Sequence, residues 1–269
     1  MKDLKELFNV EKPILGMVHF LPLPGSPLYD HSGGMKKILD TARRDCESLV
    51  NAGFDGVSFS NEGDRPYLSD VSKTTVAAMS YLIGEVSRDL EVPFGLSVLS
   101  DSEAAISIGT AVNADFVRIF LSWVFVGDWG IVNPNAGKLQ RAISNVDSTF
   151  RVFANISGHT EPLGGRKIED IARGAIKFGL ADAVCLAGTT AGSEIAEDDL
   201  INARKGADGS PVIVGTGTTM ENVERMLELG DGVIMGTSIK VDRNTFNPVD
   251  PEAARRFMQK ARHIREKML

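Results

Sequence analysis

Four stretches decide the fold: Gly53-Phe54-Asp55-Gly56-Val57, Asn113-Ala114-Asp115-Phe116-Val117, Leu180-Ala181-Asp182-Ala183-Val184 and Leu229-Gly230-Asp231-Gly232-Val233. Each places an Asp two positions before a Val and reads as the start of a β-strand, and successive copies lie about two strand-plus-helix units apart. Between them run four other apolar stretches, three of which open on Pro: Pro13-Ile14-Leu15-Gly16-Met17-Val18, Pro93-Phe94-Gly95-Leu96-Ser97-Val98 and Pro211-Val212-Ile213-Val214. The fourth is Arg151-Val152-Phe153-Ala154-Asn155-Ile156. Two kinds of strand alternating to a total of eight is the rhythm of a parallel (β/α)8 barrel. The strands are expected near 13–19, 55–60, 93–99, 116–120, 151–156, 183–188, 211–215 and 232–236. Their continuous Val, Ile, Phe and Ala content suits parallel strands buried on both faces.

The helices follow from spacing. Met35, Ile38, Leu39, Ala42, Cys46, Leu49 and Val50 recur every three or four residues, with Lys36, Lys37, Arg43, Arg44 and Glu47 between them. Comparable patterns cover about 70–90, 101–112, 136–146, 168–179, 196–204, 219–229 and 251–267, the last with Asp250 as N-cap and Pro251 at the first helical position. A short N-terminal helix is expected at about 2–9. With no linker-like stretch, residues 1–269 read as a single barrel domain.

Composition narrows the function. Net charge is -7, and no Lys/Arg stripe stands out, which excludes a nucleic-acid surface. The longest apolar run, around Ile119 to Val126, is too short to span a bilayer, and the charged Met1–Leu7 segment does not resemble a signal peptide. The two cysteines, Cys46 and Cys185, form neither a disulfide framework nor a metal-ligand spacing, so a reduced cytoplasmic setting is expected.

Barrels of this kind carry their chemistry at the C-terminal ends of the strands. Strand seven runs into Gly215-Thr216-Gly217-Thr218 and strand eight into Gly236-Thr237-Ser238-Ile239-Lys240. Glycines let the backbone approach an anion, and free N–H groups at a helix start favour phosphate. Gly215, Gly217, Thr218, Gly236, Thr237 and Ser238 are therefore the expected phosphate-binding set, with ordinary tight-turn glycines as the alternative. Thr218 and Glu221 have capping-box spacing, and Lys240 is either an added point charge or a solvated surface residue.

Strand one ends in His19, a general acid or base or else a hydrogen-bonded structural histidine. Strand two ends in Ser60-Asn61-Glu62-Gly63-Asp64-Arg65, in which Glu62 is the preferred general base and Asn61 a group to polarise a carbonyl. Asp64 and Arg65 are expected to pair as a loop clamp. Arg118 interrupts an apolar strand and needs an anion or carboxylate inside the barrel. Asn155, with Thr189 and Thr190, completes the ring of polar groups, while His159 and Glu161 look less well placed. His19, Glu62 and Asp64 could collect a divalent metal such as Mg together with substrate oxygens, but they lack a metal-motif spacing. No Lys lies within a strand, which disfavours Schiff-base chemistry. Three long connections remain: Phe20–Ser32 with Pro22, Pro24 and Pro27, Ser60–Asp70, and Leu121–Pro134 with Trp123, Phe125 and Trp129. The tryptophan loop suggests a lid or a subunit contact, hence a homo-oligomer, unless it packs on the chain's own helices.

These residues carry a resemblance. Gly16-Met17-Val18-His19-Phe20-Leu21-Pro22-Leu23-Pro24-Gly25-Ser26-Pro27, Ser60-Asn61-Glu62-Gly63-Asp64-Arg65-Pro66-Tyr67, Pro162-Leu163-Gly164-Gly165-Arg166 and Leu186-Ala187-Gly188-Thr189-Thr190-Ala191-Gly192 resemble the BtpA/SgcQ family over nearly the whole chain. Ser60-Asn61-Glu62 and Pro66-Tyr67-Leu68 resemble its SgcQ-like branch. Asn155-Ile156-Ser157-Gly158-His159 departs from a Lys-His arrangement found at strand five of other members, which removes a strand-five base. The resemblance implies a ribulose-phosphate-binding type of barrel. One branch is tied to photosystem I biogenesis, the other to a sugar phosphotransferase gene cluster.

Together the expectation is an isomerase, epimerase or lyase without a redox cofactor, acting on a small phosphorylated sugar or nucleoside metabolite. The rivals are a non-catalytic assembly factor docking through the tryptophan loop and a metabolite-sensing barrel.

Overall fold

The computed structural model describes residues 4–146, 148–188 and 192–268. In chain order the helices are α1 (Leu4–Phe8), α2 (Gly34–Ala52), α3 (Lys73–Ser87), α4 (Ser102–Ala111), α5 (Ala136–Asn145), α6 (Ile168–Lys177), α7 (Glu197–Ala207), α8 (Val223–Leu229) and α9 (Pro251–Met268). The strands are β1 (Ile14–His19), β2 (Gly56–Ser60), β3 (Phe94–Ser97), β4 (Phe116–Phe120), β5 (Phe125–Gly127), β6 (Gly130–Val132), β7 (Arg151–Asn155), β8 (Thr160–Pro162), β9 (Ala183–Leu186), β10 (Val212–Val214) and β11 (Gly232–Met235). Eight of them close a parallel barrel in the order β1-β11-β10-β9-β7-β4-β3-β2, a single (β/α)8 fold. The other three form a small antiparallel sheet, β6-β5-β8, above it.

The repeated Asp explains the barrel's lower rim. Asp55 donates its N–H to the Ile14 carbonyl at 2.9 Å, and its Oδ2 accepts the Ile14 N–H at 2.8 Å. Asp115 treats Phe94 in the same way, Asp182 treats Val152, and Asp231 treats Val212, with side-chain distances of 2.8 to 2.9 Å. Each Asp thus ties the strand it introduces to its neighbour and satisfies an N–H at the strand start. Hydrogen bonds to an ionised acceptor are stronger than neutral ones. Two residues on, Val57, Val117, Val184 and Val233 are fully buried in the layer between strands and helices.

With register fixed there, alternation decides what faces inward. Leu15, Met17, Phe116, Phe153, Ala183, Cys185, Ile213 and Ile234 fill the lower barrel, and Leu4 and Phe8 of α1 plug it from below. Phe116 stacks on Phe153 at 4.8 Å between ring centroids and meets the Phe8 ring edge-on at 5.8 Å. Gly95 makes room for this stack, since a Cβ there collides with the Phe116 ring. One step higher, the same alternation brings His19, Ser60, Ser97, Arg118 and Gly236 to the mouth. On the outside, α2 buries Ile38, Leu39, Ala42, Cys46 and Leu49. Asp250 Oδ1 accepts from the N–H groups of Glu252 and Ala253, capping α9 as its sequence suggests.

The long Leu121–Pro134 connection carries a hairpin, in which β5 pairs with β6 and also with β8. Trp123 Nε1 donates to the Leu163 carbonyl at 3.1 Å and its ring lies under the Arg166 guanidinium. Among the described residues no helix is long and apolar enough to cross a membrane.

Asp115→Ala is expected to destabilise the protein by about 1–3 kcal/mol, because it strands the Phe94 N–H. Asp115→Asn, which keeps an acceptor, costs less. Urea denaturation measures both, and an Ala variant as stable as the parent contradicts the clamp.

Candidate functional site

The C-terminal mouth holds a cavity of about 300 Å³, lined by His19, Ser60, Glu62, Ser97, Arg118, His159, the Gly215–Thr219 loop, Gly236–Ser238 and Arg243. Strand ends supply the first group and the loops after β10 and β11 the second.

His19 ends β1, and its Nδ1 lies 3.1 Å from the Thr245 carbonyl oxygen. A carbonyl only accepts, so the neutral ring carries its proton on Nδ1 and leaves a lone pair on Nε2, near Gly236. Burial and the nearby Lys240 ammonium push the His19 pKa down to about 3. Glu62 lies just beyond β2 and is 6 % exposed. Burial raises its pKa, against the opposing pull of Arg118 and the hydrogen bond that the Tyr67 hydroxyl donates to Oε1 at 3.3 Å. His159, in the left-handed region at φ 54°, is likewise held neutral by burial and by Arg118. One cavity therefore holds an unprotonated imidazole and a carboxyl group biased toward its acid form.

Arg118 finds an amide where a carboxylate was expected: its Nε donates to Asn155 Oδ1 at 2.8 Å. Asn155 holds the guanidinium from the next strand, with its own side chain outside the cavity lining. Asn61 is also turned away, its Oδ1 accepting the Leu99 N–H at 2.9 Å and its Nδ2 reaching Asp64. The Asp64–Arg65 pairing is replaced by two separate anchors. Asp64 Oδ1 accepts the Leu23 N–H at 2.7 Å and fastens the Pro-rich connection, while Arg65 stacks on Phe246 at 3.5 Å. With Asp64 so engaged, the sequence set His19, Glu62 and Asp64 does not converge, and no group of three or more His, Cys, Asp or Glu gathers for a metal among the described residues.

At the other end, Gly215 and Gly217 are required by packing. A Cβ on Gly215 comes within 2.7 Å of the Leu186 carbonyl oxygen, and one on Gly217, at φ 75°, collides with Ser193. Gly236 differs: a Cβ there faces the cavity and comes only to 3.5 Å from the His19 ring. The Thr218–Glu221 capping box does not form. Thr219 Oγ1 instead accepts the Glu221 and Asn222 N–H groups, and Thr218 Oγ1 lies buried in the cavity wall with no hydrogen-bond partner among the described residues. The Ser238 hydroxyl donates to the Thr218 carbonyl and binds the two loops together, while the Thr237 hydroxyl bonds to that of Thr245 within the second loop. Lys240 is corrected from a surface or ligand cation to a buried one, 3.5 Å from Asp45 Oδ2 of α2.

Thr189 and Thr190 lie outside the described residues. Sequence reasoning set His159 aside and passed over Ser97 and Arg243, all three of which line the cavity. Counting inward by twos from the apolar layer finds Ser97. Nothing local flags Arg243, which arrives on the excursion between β11 and α9.

With this geometry in place, comparison assigns the lineage. The BtpA family model matches residues 10–263, and the chain belongs to that family. It is 34% identical to the Escherichia coli sgc region protein SgcQ, covering 98% of this chain and 100% of SgcQ. It is 30% identical to the photosystem I biogenesis protein BtpA of Synechocystis, covering 96% of this chain and 90% of that protein. Among solved structures, the (S)-3-O-geranylgeranylglyceryl phosphate synthase of Thermoplasma acidophilum, in complex with its substrate sn-glycerol-1-phosphate, superposes with a TM-score of 0.59 at 17% identity. That likeness covers 98% of this chain and 100% of the other, and it establishes the barrel fold.

The His19 environment has a consequence for stability. Its folded pKa, about 3, lies below the ordinary 6.5, so the folded state binds fewer protons than the unfolded chain between these values. The resulting stability is fully present above pH 6.5 and lost as pH falls through that window. Urea melts across acid pH are expected to show a shallower loss for His19→Gln than for the parent; equal slopes contradict the assignment.

Proposed function

We propose that this BtpA-family barrel is an enzyme that moves a proton on a small phosphorylated sugar or nucleoside metabolite, as an isomerase, epimerase or lyase. One observation carries the reading: a neutral His19, a Glu62 biased toward its acid form and the Arg118 guanidinium line a single small cavity. Pairs of groups whose surroundings push their pKa values apart divide acid and base roles between them.

In this reading the phosphate sits against the Gly217–Thr218 and Gly236–Thr237 backbone, with the Thr218 hydroxyl supplying a further contact and Arg243 closing the rim. The His19 Nε2 lone pair takes a proton from the carbon beside a carbonyl or carboxyl group. The electron pair moves to that oxygen, where Arg118 stabilises the charge that develops. Glu62, read from the sequence as the general base, takes the acid role here because burial raises its pKa, and returns a proton to carbon or to a departing oxygen. These steps need no redox cofactor, since they move protons alone. A phosphorylated substrate also favours a cytoplasmic protein.

The rival reading, a non-catalytic assembly role, draws on the photosystem I biogenesis protein among the relatives. Its docking surface was to be the tryptophan loop. Trp123 is engaged by Leu163 and Arg166, and Trp129 packs against Tyr67 and His159, which weighs against that surface.

Incubation with a panel of phosphorylated aldoses, ketoses, sugar acids and nucleosides in deuterated water is expected to give solvent exchange at one carbon, read by proton NMR. His19→Gln and Glu62→Gln are each expected to slow it by about 100-fold or more. Absence of exchange from every compound, or exchange unchanged in both variants, contradicts the proposal.

A further inference from the structure

The strand order sets Arg118 on the far side of the mouth from the glycine loops. β4 lies across the closed barrel from the seam of β10 and β11. Arg118 has one hydrogen bond, to a neutral amide, and no carboxylate within ion-pair distance among the described residues. Lys240, a cation buried near the site, has Asp45 beside it. The half-buried guanidinium therefore lines the cavity with no carboxylate in ion-pair contact, Glu62 across the same cavity being the acid on which its charge acts.

Two hydroxyls bridge the gap between the imidazole and the guanidinium. Ser60 is the direct cross-strand partner of His19, and Ser97 is the partner of Ser60. The β3–β4 pairing continues this row toward Arg118. Ser60 is 1 % exposed and its Oγ has no hydrogen-bond partner among the described residues. Buried hydroxyls are normally satisfied; Ser58 Oγ one layer below is unpartnered too, but Ser60 is the one of the two that lines the cavity, where a ligand can supply the partner. The unpartnered Thr218 hydroxyl marks the opposite wall in the same way.

From this placement we infer that the substrate is a phosphorylated sugar acid, its phosphate at the β10 and β11 loops, its hydroxyls on Ser60 and Ser97, and its carboxylate on Arg118. The inference rests on the phosphate reading above and adds the second, anionic end. A planar guanidinium held at Nε by Asn155 keeps its terminal nitrogens for a two-point contact with a carboxylate.

Isothermal titration with 6-phosphogluconate, glucitol 6-phosphate, gluconate and fructose 1,6-bisphosphate separates the two claims. The first two compounds differ chiefly in the carboxylate. Wild type is expected to bind 6-phosphogluconate about tenfold or more tighter than glucitol 6-phosphate. Arg118→Gln is expected to bring the two within about twofold. Equal wild-type affinities for those two, both above gluconate, overturn the sugar-acid inference and leave the phosphate reading standing. A preference for fructose 1,6-bisphosphate assigns the Arg118 end to a second phosphate and likewise overturns it. Gluconate binding as well as 6-phosphogluconate, or no binding by any compound, overturns the phosphate reading and this inference with it. The wild-type comparison is decisive even if Arg118→Gln fails to fold.

Discussion

Everything at the mouth of this barrel depends on a hydrogen-bonding device at its foot. Asp55, Asp115, Asp182 and Asp231 each grip the N–H and C=O of one residue on the neighbouring strand, fixing four strand pairs at their starts. A one-residue slip in any pair turns each side chain of that strand to the opposite face. The positions of His19 and Arg118 are thus set at the opposite end of their strands. Below them the interior is apolar except for the buried hydroxyl of Ser58, and α1 closes its foot with Leu4 and Phe8. The charged and titratable groups occupy the upper layer, where a ligand can reach them.

The loop after β11 is held just as firmly. Asp45, on the inward face of α2, accepts the Val249 N–H at 2.9 Å and faces Lys240. A salt bridge this deep is weak evidence for stability, because desolvation offsets the attraction. Its effect is positional: it ties the excursion after β11 to α2, and it sets a positive charge near His19 that adds to burial in keeping the imidazole neutral. Thr245, on the same excursion, fixes the imidazole tautomer.

How much of this was legible in the sequence differs by kind. The barrel was, because the Asp-x-Val starts and the Pro-led strands recur, and repetition at strand-plus-helix spacing survives errors at any single element. His19, Glu62, Arg118 and Gly236 were also legible as cavity residues, since a polar or glycine residue ending an apolar strand stands out. Partners were not. Asn61, Asp64, Asn155 and Lys240 are as polar as the residues that line the cavity, yet they serve neighbouring backbone or buried charges. Only the direction of a side chain separates the two groups. Residues such as His159 and Arg243 were out of reach for another reason, because irregular excursions, with φ of 54° and 52°, carry them over the mouth.

The most direct test of the site is a crystal structure of the protein grown with glycerol 3-phosphate. The expected result is a phosphate within hydrogen-bonding distance of the Gly217–Thr218 and Gly236–Thr237 backbone, with the carbon chain directed toward His19. A phosphate bound only on the outer surface, with the mouth free of the ester, would contradict it.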